Sequence, residues 1–301
     1  MIELTLEQIM VLFLFAMSGY ILGKKGIVCS EQAGILSKLE VYIFLPCMTF
    51  KTFSTEFTIS SIKEKYPLIL LSVVILLLVC LFAVFLAKGF SKECYEQKVY
   101  TYSLIIPNFG YMGYALMEAL FGSEMLLNMM IFALPVTAFT YTVGFCMLTN
   151  ERVTAKRLLQ PTVIAIGLGA LTGLTGLRLP EAVSVGVAKG AACVAPVSMI
   201  LTGITLSTFS LKELLKEKRY YIVSIFRLIV IPCTIALALK LFGGKEEMLV
   251  ALVLYAMPCG LNTIVFPKLV GEDCKIGAGL ACISNVLACV TIPLCVWLFT
   301  L

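Results

Sequence analysis

Ten apolar stretches of about twenty residues recur along this chain, and they leave it little choice of fold. In hydrocarbon every backbone N–H and C=O must be bonded within the protein, so each stretch is expected to be a membrane-crossing helix. They lie near residues 6–22, 33–53, 67–87, 99–121, 125–148, 158–177, 182–207, 220–241, 247–270 and 275–299. Composition agrees: 60% of residues are hydrophobic and 14% charged, and the mean hydropathy is +1.01. A soluble domain carries about 25% charged residues. The expected class is therefore an all-α polytopic membrane protein. Glu3 and Glu7 precede the first run and no Lys or Arg does, so that run is expected to stay as a helix and not be cleaved as a signal peptide. The net charge of +5 calls for no nucleic acid, because such proteins gather Lys and Arg in cytoplasmic loops.

Those loops set an orientation. Fifteen Lys and Arg fall in odd-numbered connections and six in even-numbered ones. Both termini are thus expected on the outer side of the cell membrane and the first connection in the cytoplasm. Arg227 and Lys189 fall within spans, close enough to the ends to reach the interface; Arg227 has the further options of an acidic partner or a lipid phosphate.

Two spans are interrupted. Ser103-Leu104-Ile105-Ile106-Pro107-Asn108-Phe109-Gly110 and Leu254-Tyr255-Ala256-Met257-Pro258-Cys259-Gly260-Leu261-Asn262-Thr263 each set a proline, a glycine and an amide into lipid-like sequence, and the prolines are 151 positions apart. Each proline deprives the carbonyl four residues earlier of its donor. Leu45-Pro46 and Ala195-Pro196 repeat at an offset of 150, and Gly122 and Gly271 at 149. A five-helix unit used twice, over residues 1–148 and 158–301 with a basic cytoplasmic linker at 149–157, accounts for these offsets. Five is odd, so the second copy runs inverted. Inverted repeats with broken helices in matching positions are an architecture of secondary transporters, with the site between repeats near the midplane.

Asn108 and Asn262 lie beside the breaks, where each could cap freed backbone, contact a ligand, or both. Half-helices that meet at the midplane aim their N-termini there and favour an anion, most simply a small carboxylate. Glu118 has two readings open: snorkelling to the outer surface near Gly122, or coupling protons to transport. Glu40 is expected to pair with Lys38 or reach the cytoplasmic interface. The glycines of Gly167-Leu168-Gly169-Ala170-Leu171-Thr172-Gly173 are spaced for close helix packing. The twelve cysteines include no CxxC pair and read as small hydrophobes; with no histidine present, neither a metal site nor a cofactor is expected. Walker-type cradles, HExxH and paired catalytic side chains within spans are missing, so the chain is not read as an enzyme.

Met257-Pro258-Cys259-Gly260-Leu261-Asn262-Thr263, the Gly271-Glu272-Asp273 that follows and Thr291-Ile292-Pro293-Leu294 resemble the C-terminal repeat of the auxin efflux carrier family. Leu45-Pro46 and Pro107-Asn108-Phe109-Gly110 fit its first repeat. That family includes the plant PIN-formed exporters and bacterial malate and malonate permeases. The resemblance implies ten helices in two inverted repeats, a scaffold of spans 1, 2, 6 and 7 that pairs into a homodimer, and a transport domain of spans 3–5 and 8–10. It further implies an elevator-type carrier for small organic anions, possessing a substrate site at the helix 4/9 crossing. Pro107, Asn108, Phe109, Gly110, Tyr111, Pro258, Cys259, Gly260, Asn262 and Thr263 are the expected site residues. Tyr114-Ala115 departs from the family pattern, which bears on the shape of the pocket and so on the substrate. Two alternatives stay open: a sodium-coupled symporter of bile-acid-transporter type, which also has crossing helices, and a membrane sensor that binds a ligand without moving it.

Overall fold

The computed structural model describes residues 2–151 and 159–300, all of their regular structure helical. Most of the expected linker, including Arg152, Lys156 and Arg157, lies outside the described residues. The helices are α1 (Ile2–Lys24), α2 (Ser30–Leu39), α3 (Leu45–Glu56), α4 (Ile59–Phe90), α5 (Cys94–Ile105), α6 (Tyr114–Phe139), α7 (Phe145–Thr149) and α8 (Pro161–Thr175). After these come α9 (Glu181–Ala192), α10 (Val194–Ser207), α11 (Leu211–Leu214), α12 (Lys218–Ile225), α13 (Ile231–Phe242), α14 (Lys245–Ala256), α15 (Asn262–Leu269) and α16 (Lys275–Thr300). Among the described residues seven continuous helical stretches are long and apolar enough to cross a membrane. The other apolar stretches form the 15-residue α8 and the broken pairs around residues 106–108 and 257–261.

Single π-helical turns lead directly into α3, α6, α7 and α13, at Glu40–Phe44, Phe109–Gly113, Thr140–Gly144 and Phe226–Val230. Two of these stand just ahead of a proline, Pro46 and Pro232, which withholds the donor its preceding turn needs. Cysteines make part of that loss good. The Sγ of Cys295 lies 3.6 Å from the Leu228 carbonyl, four residues before Pro232, and that of Cys259 lies 3.8 Å from the Ser103 carbonyl, four before Pro107. The twelve cysteines are free thiols, Cys29 and Cys94 exposed and the others buried or partly buried.

Packing sorts the helices into two bundles: α1 lies against α10 and α3 against α8 and α9, while α4 lies against α5 and α6, α14 against α6 and α13, and α16 against α12 and α14. Small residues bring the first bundle together. A Cβ at Gly203 would collide with the Ala16 carbonyl and one at Gly173 with those of Phe53 and Phe57, so α1–α10 and α3–α8 pack backbone to backbone. Of the glycine series in α8, Gly169 and Gly173 make this approach and Gly167 meets open space. Gly122 at φ 85° kinks α6 between the fourth and fifth apolar runs, and Gly271 at φ 76° follows α15 at the corresponding place.

Candidate functional site

Ile106 and Met257, each just before a proline, adopt extended backbone because the proline ring excludes the helical region for its predecessor. The two extended segments cross antiparallel, Pro107 facing Cys259, and the Asn108 N–H donates to the Pro258 carbonyl at 2.8 Å. Each chain then re-enters a helix. Met112 and Gly113 are the first N–H groups to find an acceptor beyond the first break, both on the Asn108 carbonyl at 3.2 Å; beyond the second, Thr263 donates to Gly260 at 3.3 Å. The amides of Phe109, Gly110 and Tyr111 on one side, and of Leu261 and Asn262 on the other, precede those bonds and belong to N-terminal turns that lack intrahelical acceptors.

Beside this crossing is a cavity of about 70 Å³. Pro107, Asn108, Phe109, Gly110, Tyr111, Gly260 and Asn262 line it, together with the side chains Tyr114, Thr137, Thr140, Tyr141, Gln160 and Thr162. Among the described residues its polar lining groups are amides and hydroxyls, with no charged side chain. The Asn108 side chain is buried with its Nδ2 unbonded, so it does not serve the capping role open to it in the sequence. Through Tyr114, Thr137, Tyr141, Gln160 and Thr162 the cavity adjoins a second space of about 260 Å³, walled by Met130, Leu134, Ala138 and Ile166. Thus α6 and the crossing form one wall, and α8 with Leu45 and Thr49 of α3 forms the opposite one, in the other bundle.

The remaining expected site residues stand behind the crossing. Pro258 contributes its carbonyl, Cys259 is fully buried with its N–H 3.0 Å from Ser284 Oγ, and the Thr263 hydroxyl donates to the Gly260 carbonyl at 2.9 Å. Glu118 is away from the cavity and pairs with Lys51 at 2.9 Å, both side chains about one-third exposed. That ion pair, with the Ser123–Glu56 hydrogen bond of 2.7 Å, joins α6 to α3 across the bundles. Sequence reasoning missed the wall of Thr137, Thr140 and Tyr141. Its signal was a set of hydroxyls three and four residues apart within an apolar run, which places them on one helix face.

Two charged residues lie differently from expectation. Glu40 neither pairs with Lys38 nor reaches an interface; it is fully buried in the first bundle, both oxygens without a hydrogen-bond partner, within electrostatic reach of Tyr111. Arg227 is fully buried in the second bundle, so it meets neither water nor lipid phosphate. Its guanidinium is 5.7 Å from the Tyr255 ring, and one Nη donates to the Leu104 carbonyl at 3.2 Å.

A helical chain spanning a membrane several times, with crossed broken helices beside a polar cavity, has the construction of a transporter. The profile of the family described as "Membrane transport protein" matches residues 4–156 and again 146–296. The chain belongs to this family, the auxin efflux carriers, and is a membrane transporter and not an enzyme. It is also 26% identical over 310 residues to an uncharacterized transporter of Methanocaldococcus jannaschii, covering 97% of this chain and 98% of that one.

Proposed function

We propose that the protein is a secondary carrier of small organic anions, binding a carboxylate at the crossing of the two broken helices. The observation that supports this most is the buried, unbonded Asn108 amide, set among N-terminal backbone amides beside a cavity whose described lining residues are uncharged. Such donors favour negative charge through their N–H groups and the helix dipoles. A 70 Å³ cavity suits a carboxylate head, and the adjoining 260 Å³ space with its Met130, Leu134 and Ile166 walls suits an apolar body. Monocarboxylates with an aryl or alkyl body, auxin-like in shape, therefore rank above compact dicarboxylates.

In this reading the chain forms ten spans as two inverted repeats, 1–148 and 158–301, with both termini outside the cell membrane. The prolines, the positive-φ glycines and the two successive family matches all fall in step with it. The bundle of α1–α3 and α8–α10 is the scaffold, paired with its copy in a homodimer, and the bundle holding the crossing moves against it as an elevator. Pro258, Cys259 and Thr263 hold the crossing in shape, while Asn108, Asn262, Gly110 and Tyr111 meet substrate. Glu118 pairs with Lys51 across the boundary between the bundles, and its two readings, a surface role and proton coupling, are separated by the pH profile of Glu118→Gln.

Proteoliposomes on a solid supported membrane test the proposal when challenged with indole-3-acetate, phenylacetate, malonate and malate, with and without sodium or a pH gradient. Saturable currents that decline in Asn262→Ala are expected. Absence of both current and binding for every carboxylate would overturn it, and strict dependence on sodium would favour the bile-acid type of symporter.

A further inference from the structure

Four half-helix ends meet at the crossing. Helices α5 and α14 end at the crossing, and the N-terminal turns at Phe109 and Asn262, which line the cavity, begin there. Each helix end carries roughly half an elementary charge, negative at a C-terminus and positive at an N-terminus. Left alone, two of each sum to about zero, and the crossing would show little preference between an anion and a neutral ligand of the same shape.

Arg227 breaks that balance. It contacts the C-terminal ends, donating to the Leu104 carbonyl, next to last in α5, and lying 5.7 Å from the ring of Tyr255, next to last in α14. Leu104 is available because the N–H four residues on, that of Asn108, has left the helix to bond Pro258. Arg227 is fully buried, does not line the cavity, and among the described residues forms no ion pair with a carboxylate. Its Nε and second Nη are unbonded, as are the neighbouring Ser224 and Tyr255 hydroxyls. A guanidinium whose only task was to cap one carbonyl would be an expensive choice, since burying an uncompensated charge costs several kcal/mol.

We propose that Arg227 is the specificity-determining counter-charge of the crossing: it offsets the negative ends of α5 and α14 from behind, so the positive ends facing the cavity act on substrate unopposed and select carboxylates over their neutral isosteres. This rests on the carboxylate reading above and adds the residue that sets the sign of the site. Arg227 touches no substrate; it is a positioning residue acting through the field. The unbonded Asn108 amide on the cavity side is the independent mark of a ligand there.

The test uses matched pairs, indole-3-acetate with indole-3-acetamide and malonate with malonamide, titrated against the purified full-length protein and read by thermal shift. In wild type the carboxylate of at least one pair binds more tightly than its amide. Arg227→Gln keeps a donor for Leu104 and removes the charge; it lowers the carboxylate-to-amide affinity ratio about tenfold or more, the scale of a unit charge acting within protein. Arg227→Lys restores most of the ratio. Ser224→Asp, one turn earlier on the same helix, neutralises Arg227 without removing it and lowers the ratio likewise, which covers the case in which Arg227→Gln does not fold. Equal losses for carboxylate and amide, or an unchanged ratio in a folded Arg227→Gln or in Ser224→Asp, would overturn the inference alone. A wild-type protein that binds both members of each pair equally, or neither, would overturn the carboxylate reading and this inference with it.

Discussion

The two breaks share a proline, a glycine and an amide, yet the protein supports them differently. The second is braced from within its own bundle: Ser284 of α16 accepts the Cys259 N–H, and α16 comes so close that a Cβ at Gly277 would collide with the Thr263 carbonyl. The first lies on the boundary between bundles, where its Tyr111 carbonyl receives the Ser198 hydroxyl of α10 and where Asn108 and Gly110 border the cavity. Both breaks line the cavity, yet the second is held by its own bundle and the first also bonds the other bundle, so matching interruptions have different supports.

The largest effect expected is on binding. Asn108→Ala and Asn262→Ala each remove a cavity amide and should weaken carboxylate binding by roughly 10- to 100-fold, the value of a hydrogen bond to a charged group, while the melting temperature changes little. Titration by thermal shift reads both quantities. Equal, slight effects from both would move the site off the crossing.

Glu40 sharpens the contrast, since it is buried on the far side of the boundary that the first break faces. Neither of its oxygens has a partner, so Glu40→Leu should stabilise the protein by about 1–3 kcal/mol, seen as a higher melting temperature in detergent. A marked destabilisation would show that a bond to this carboxyl holds the bundle together.

The brace on the second break is tested by Ser284→Ala, which leaves the buried Cys259 N–H without an acceptor. A loss of about 1–2 kcal/mol in stability is expected, with carboxylate affinity within about threefold of wild type. A large affinity loss at unchanged stability would make the second break as much a contact as the first.

Smallest is Glu118→Gln. Its pair with Lys51 is partly exposed and contributes at most about 1 kcal/mol to stability, so melting should hardly move. The pH profile of transport should flatten if protons act through this residue. A wild-type profile would return Glu118 to the surface role also open to it in the sequence.

Sequence revealed the backbone of this argument because proline acts locally. Pro107 and Pro258 remove particular donors whatever surrounds them, and the extended Ile106 and Met257 follow from that alone. Asn108 and Asn262 were legible as neighbours of the breaks. Glu40 and Arg227 were not, because nearness to the end of an apolar run says nothing about which way a side chain faces, and long charged residues there usually reach the surface. The Gln160 wall was likewise hidden: it is set by contact between bundles far apart in the chain. Ser284 was unreadable for the same reason, its partner Cys259 being 25 residues away on another helix.

The solitary charge of Arg227 also bears on energetics. If its bundle is the part that travels, the guanidinium travels through the membrane field with it. A bound monoanion offsets the charge of Arg227, whereas in the empty unit that positive charge crosses whatever fraction of the field the bundle crosses. A full crossing corresponds to about 2.3 kcal/mol per 100 mV. Membrane potential would then act chiefly on the unloaded return, drawing the empty unit toward the negative cytoplasmic face, and voltage would set how often the carrier resets more than how tightly it binds.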